Sequence, residues 1–338
     1  MTATVPLPPR WERLGEGAPL TEPAIQTQGL RKTYGSKVAL QELTLSVPRG
    51  EIFGFLGPNG AGKTTAVKLL TGLARPTAGS GWLLGRPLGD RETRRRLGYL
   101  PELFRFHDWL SAAELLELHG ELCGMSGAER RKRIPEVLEL VGLADRAKDR
   151  VGTFSKGMQQ RLGLAQALIN RPELVILDEP TSALDPIGRR DVRLLIQQLK
   201  SAGATVFLNS HLLSEIELVC DRVAIVDRGR VVQEGRLEEL LTLSHELDIR
   251  TNGLPDDVLA ALPSHWKVHE HDGRRIVLGV PRPDDAAEVT RFLVAHGVDL
   301  LELRPRRANL EDLFLQWIGG EDGASLDVHP ADPARSVA

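Results

Sequence analysis

A buried strand, a glycine-rich turn and a helix follow one another without a break in EIFGFLGPNGAGKTTAVKLLTGL, residues 51–73. Gly57, Gly60 and Gly62 permit a turn that side chains would obstruct, with Pro58, Asn59 and Ala61 in the positions between them. The turn and the opening of the helix at Lys63 aim backbone N–H groups and a helix N-terminus at one anion. A phosphate loop of this kind predicts that Lys63 reaches the β- and γ-phosphates of a nucleotide and that the Thr64 hydroxyl ligates Mg²⁺, with Thr65 completing the loop.

A second run, LVILDEP at residues 174–180, carries four apolar residues into two carboxylates. It reads as a buried strand presenting acids at its C-terminal end, where open α/β sheets bind ligands. Asp178 is expected to hold Mg²⁺ through water. Glu179 is expected to polarise or deprotonate the water that attacks a phosphoryl group.

Between these runs stands FSKGMQQRL, residues 154–162. With it, the chain resembles the ATPase subunit of an ATP-binding cassette transporter over residues 24–243. The resemblance implies ATP and Mg²⁺ as ligands. It also implies that Ser155 and Gly157 touch the γ-phosphate of ATP held by a partner subunit, with Ser155 capping a helix that runs to Asn170. The family's usual Leu-Ser-Gly-Gly-Gln is altered here: Lys156 replaces the first Gly and Met158 the Gln. Tyr34 stands where the family stacks an aromatic ring on adenine, and His211 matches the histidine that contacts the γ-phosphate and orients the water. Residues 182–185, SALD, match the loop that crosses the dimer. In LGYLPE, residues 97–102, Glu102 stands where the family offers a Gln to Mg²⁺ and to the membrane subunit. A carboxylate can still ligate the metal, but its extra charge changes the site. Catalysis is thus expected from Glu179, His211 and Lys63, and metal ligation from Thr64, Asp178 and Glu102.

The 338-residue chain, 41% hydrophobic and 26% charged, is long enough for two domains. Its formal charge of −3 gives no reason to expect nucleic acid as a partner. The arginine runs at 91–96 and 130–133 read as solvated helix faces. Cys123 and Cys220 read as small buried apolar residues in a reducing compartment. No apolar stretch approaches the roughly 18–20 residues that cross a bilayer, so any membrane role is expected to work through a partner.

Residues 1–22 read as a flexible extension and 319–338 as a tail. Residues 23–243 read as an α/β P-loop NTPase core of the ABC ATPase kind, with an antiparallel β arm and a helical insertion at 103–170. Residues 244–318 follow the order strand, helix, strand, strand, helix, strand, a ferredoxin-like α+β domain. It is similar to the small domains that accompany ABC-2 type exporter ATPases. Its closing helix in ANLEDLFLQWIGG puts Leu310, Leu313, Phe314 and Trp317 on one face. His265, His269 and His271 read as hairpin surface residues. The resemblance implies a cassette dimer, of two copies or with a paralogue, bound to transmembrane permease subunits at the cytoplasmic face of the cell membrane and driving export. A soluble ATPase clamp and an ATP-sensing scaffold without turnover are the alternatives.

Overall fold

The computed structural model describes residues 22–242, 245–282, 284–307 and 309–319. The expected N-terminal extension and C-terminal tail lie outside these, apart from Glu22 and Gly319. The chain opens with an antiparallel hairpin, β1 (Ile25–Tyr34) and β2 (Lys37–Val47), followed by β3 (Ile52–Leu56) and α1 (Lys63–Leu70). Next come β4 (Ala78–Leu83), β5 (Arg86–Pro87), α2 (Arg91–Arg95) and β6 (Leu97–Leu100). The helical insertion holds α3 (Ala112–Leu122), α4 (Gly127–Leu140) and α5 (Lys156–Leu168), with two 3-10 turns between the last two. Then follow β7 (Leu174–Asp178), α6 (Pro186–Ser201), β8 (Thr205–Asn209), α7 (Leu213–Val219), β9 (Arg222–Asp227), β10 (Arg230–Arg236) and α8 (Leu237–Thr242).

Ten strands form one sheet in the order β5-β4-β1-β2-β10-β9-β3-β8-β7-β6. The stretch from β9 to β6 is parallel throughout. β3, β7 and β8 are buried at every residue, as parallel strands with both faces covered must be. Their alternate side chains feed two cores. Ile52, Val175, Leu177, Val206 and Leu208 face the helices of the insertion and α6 and α7. Phe53, Phe55, Ile176 and Phe207 face α1 and the β1–β2 arm, with Phe53 and Phe207 stacked at 5.9 Å. Since the strands are parallel, the loops that follow β3, β6, β7 and β8 emerge at one edge of the sheet. That edge therefore collects residues 57–65, Glu102, Asp178–Glu179 and His211.

The insertion begins at two capping boxes. Ser111 with Glu114 opens α3 and Ser126 with Glu129 opens α4, each satisfying two free N–H groups at the helix start. The arginine run at 130–133 is not wholly solvated, contrary to expectation. Arg133 is 1% exposed and donates to the Leu168 and Ile169 carbonyls at the end of α5. It lies one helical turn before Val137, on the face that α4 buries. Burial pushes its guanidinium down to about 10, offset by Glu136. In the other run, Arg96 makes a bidentate pair with Glu173.

The small unit contains β11 (His245–Thr251), α9 (Asp256–Ala260), β12 (Lys267–His271), β13 (Arg275–Val280), α10 (Asp285–Ala295) and β14 (Leu300–Arg307). Its antiparallel sheet has the order β12-β13-β11-β14, the ferredoxin-like arrangement expected. Leu247, Ile249, Ile276 and Leu278 pack with Val258, Val289 and Leu293 of the two helices. His265, His269 and His271 are exposed, as read.

The last helix, α11 (Leu310–Gly319), does not close this small core. Leu310 is fully buried in the core of the ATPase unit, and Phe314, Trp317 and Ile318 pack against it. The Leu310 amide donates to Glu217 Oε2 of α7 at 3.1 Å. One side of the small sheet is covered by α9 and α10; the other carries buried Val277 with ion pairs such as Arg275–Asp248 and Arg306–Glu246, and meets α11 through Arg306–Asp312.

Candidate functional site

The turn after β3 is shaped by its glycines. A side chain on Gly57 would collide with the Val226 carbonyl oxygen, and Gly62 has φ +102° with the Ala39 carbonyl 2.7 Å from where a Cβ would stand. Gly62 is the N-cap of α1 and contributes no side-chain cap, so the first N–H groups of the helix are left for a ligand. Lys63 folds back over the turn, its Nζ donating to the Gly57 carbonyl at 2.6 Å and the Pro58 carbonyl at 3.1 Å. Burial lowers the Lys63 pKa, and the fields of Glu179, Asp178 and Glu102 oppose that shift. Lys63 thus lies within the field of three carboxylates. Pro58 and Ala61 close the turn through a backbone bond of 3.2 Å, while Asn59, Gly60 and Thr64 are exposed.

At the end of β7, Asp178 is 2% exposed and accepts from Asn209 Nδ2 at 2.5 Å. Burial raises its pKa; Asn209 and Lys63 pull it back, while Glu102 and Glu179 add to the rise. Glu179 follows in the left-handed region at φ +54°, a conformation that costs a residue with a side chain about 1–3 kcal/mol. Its amide donates to the Asn209 carbonyl at 2.9 Å. Its carbonyl accepts from Ser182 Oγ at 3.1 Å and from Gln160 Nε2 at 3.3 Å. The carboxylate turns toward residue 211: the His211 amide donates to Oε1 at 2.9 Å. His211 Nδ1 lies 2.7 Å from Oε2 without hydrogen-bond alignment.

Glu102 is exposed at the end of β6, yet its charge acts on Lys63, Asp178 and Tyr99. Burial, with Asp178 and Glu102, pushes the Tyr99 hydroxyl up to about 12. Tyr34 ends β1 and is 49% exposed, with Lys32 Nζ 4.8 Å above its ring. The hairpin that carries it crosses the phosphate turn, since Ala39 on β2 is the neighbour of Gly62. Ser155 is the N-cap of α5 and accepts from the Met158 amide at 3.2 Å. It is exposed, and a Cβ placed on Gly157 beside it would meet Leu184 and Ala183 at 3.4 and 3.6 Å. In the SALD stretch Asp185 caps α6, accepting from Gly188 at 2.7 Å.

The geometry thus gathers Lys63, Asp178, Glu179, His211 and Glu102 at one edge. Ser155 opens α5, which packs over β6. β6 lies three strand positions from β3, roughly 14 Å at ordinary strand spacing. Two polar partners escaped the sequence reading. Asn209 orients Asp178, and buried Gln160 spans from α5 to the Glu179 and Pro180 carbonyls. The signal for Asn209 was its place at the end of an apolar strand beside His211; for Gln160 it was a polar residue among buried neighbours on α5.

A family model for ABC transporters matches residues 40–182. The bacitracin transport ATP-binding protein BcrA of Bacillus licheniformis is 37% identical over 302 residues, 88% of this chain and 97% of that protein. Nod factor export ATP-binding protein I of Cupriavidus pinatubonensis is 36% identical over 88% of this chain and 91% of its own. Among solved structures, a dimeric ATP-binding cassette in a post-hydrolysis state with ADP and Pi superposes with TM-score 0.58 and 30% identity. It covers 63% of this chain and 98% of that one. A phosphate turn, a buried acid pair and a histidine on one sheet edge, together with relatives matched over most of their length, place this chain among the ATP-binding subunits of ABC transporters, which hydrolyse ATP to drive transport.

Proposed function

We propose that two cassettes, either two copies of this chain or this chain and a paralogue, close head to tail around two ATP molecules and drive export through separate permease subunits at the cytoplasmic membrane face. The observation that carries this reading is that the two phosphate-directed helix starts lie on different elements: Lys63 opens α1 after β3, whereas Ser155, exposed, caps α5, which packs over β6. A neighbour turned end for end offers Ser155 and Gly157 to the γ-phosphate that Lys63 and the turn hold. The transport and export names of the relatives support coupling to a membrane partner, and no helix among the described residues is long and apolar enough to cross a bilayer. They favour transport over a soluble clamp.

In this scheme Tyr34 stacks on adenine and residues 57–65 cradle the phosphates. Glu179 takes the proton of the attacking water as the new P–O bond forms and the bond to the β-phosphate oxygen breaks, releasing ADP and phosphate. His211 holds the Glu179 carboxylate on one side and reaches toward the γ-phosphate on the other. The donors present suit a hard divalent cation: the Thr64 hydroxyl, the Asp178 and Glu102 carboxylates, and the buried Asn209 Oδ1, which has no hydrogen-bond partner among the described residues. Mg²⁺ held there would neutralise charge on the β- and γ-phosphates.

The test is Glu179→Gln in the full-length protein, which keeps the oxygen that accepts from His211 but removes the base. Phosphate release is expected to vanish while ATP-bound dimers accumulate in sedimentation. Protomers that stay single at saturating ATP, with the membrane subunit supplied, would remove the basis of the scheme.

A further inference from the structure

The proton-accepting residue and the helix that seals the neighbour's ATP are joined by one side chain. Gln160 is 3% exposed, and its amide donates to two successive carbonyls, Glu179 at 3.3 Å and Pro180 at 2.9 Å. It sits on α5 five residues after the Ser155 cap, about 7.5 Å along the helix axis. Three groups pin the Glu179 peptide: the Asn209 carbonyl from β8, Ser182 from the following loop, and Gln160. Only Gln160 belongs to the helix that carries Ser155.

We propose that Gln160 is a positioning residue that ties α5 to the backbone of Glu179, so that sealing one ATP through Ser155 sets the proton acceptor at the other. The inference rests on the two-cassette reading above. Its physical basis is that Glu179 holds a left-handed backbone that its own sequence does not favour, so its carboxylate direction depends on what grips the peptide. A displacement of α5 as Ser155 engages a phosphate passes directly to that peptide. The opposite end of the helix is held by buried Arg133 on the Leu168 and Ile169 carbonyls, whereas Ser155 itself is exposed at the end that meets the phosphate.

The experiment compares the full-length parent with Gln160→Leu and Gln160→Met, which keep the bulk and remove the donors. Phosphate release is measured across a range of ATP, binding is read with a fluorescent ATP analogue, and ATP-driven dimers are followed in a Glu179→Gln background. We expect ATP binding to stay within about twofold and dimers to persist. We expect kcat to fall about 10- to 100-fold, and a Hill coefficient above one in the parent to drop to one in the variants. Parent-like kcat, an unchanged Hill coefficient, or a parent without cooperativity overturns the proposal. So does misfolding of both variants, which would make Gln160 structural. If the Glu179→Gln protein with native Gln160 forms no dimers, the two-cassette reading itself has failed.

Discussion

His211 meets both oxygens of Glu179 in different ways: its backbone amide donates to Oε1 at 2.9 Å, while its ring Nδ1 lies 2.7 Å from Oε2 without hydrogen-bond alignment. The first contact is main-chain and survives any substitution other than proline; the second is lost with the imidazole. The ring is 58% exposed, so its removal leaves no cavity in the core.

His211→Ala should therefore separate catalysis from stability. Turnover is expected to fall on the order of 100-fold, the range for a lost positioning or proton-handling group, with ATP affinity and melting temperature close to the parent. Steady-state phosphate release alongside a thermal melt checks this. A loss of melting temperature to match the loss of rate would assign the ring a packing role instead.

Asp178 carries a different signature. Burial raises its pKa above the ordinary value of 3.8, so the folded chain binds its proton more tightly than the unfolded chain does. The sign follows from linkage: the favourable contribution of the protonated acid is fully present below pH 3.8 and is lost as pH rises through the elevated folded value. At neutral pH the buried carboxylate is a cost to the ligand-free protein. Asp178→Asn is expected to raise the melting temperature of nucleotide-free protein at pH 7, by about 2 °C for each kcal/mol recovered, and to abolish turnover. The gain should shrink as the melt is repeated toward pH 4. A neutral-pH melt lower than the parent's would contradict it.

The parts of this site that could be read from the sequence are those whose constraint is local. β3, β7 and β8 announce themselves as unbroken apolar runs because both faces are buried, and the acids and histidine stand at their ends. Short β4, β5 and β6, none of them buried at every residue, give no such signal. Gln160 and Asn209 matter through partners distant in sequence, which no single segment reveals. Arg133 was concealed in a charged run although its spacing to Val137 placed it on the buried face. The apolar stripe of α11 was plain, but periodicity says which face is apolar and not what it meets.

The glycines of the phosphate turn should not be equivalent. An alanine at Gly57 would press its Cβ into the Val226 carbonyl, backbone that cannot swing aside. At Gly60 the same Cβ enters open space, and only the left-handed φ of +86° resists it, a cost of about 1–2 kcal/mol. Gly57→Ala is expected to destabilise the fold by more than Gly60→Ala does and to lose ATP binding altogether. Denaturant unfolding and nucleotide titration of the two variants decide; equal losses would show that backbone conformation, not the contact with β9, sets the turn.

Leu310 tests where the last helix belongs. It is fully buried in the core that includes Ile216 and Val219 of α7, and α7 begins two residues after His211. Leu310→Ala removes most of a core side chain, which costs about 2–5 kcal/mol, and it frees α11 from α7 rather than from the small sheet. Hydrogen exchange is therefore expected to quicken in α7 and the 209–212 loop, while β11, β13 and β14 keep their protection. Because that loop sets the amide that holds Glu179, phosphate release should fall with it even though Leu310 lies outside the nucleotide edge. Faster exchange confined to the four small-sheet strands would mean that α11 is held by the C-terminal unit, and turnover would then be untouched.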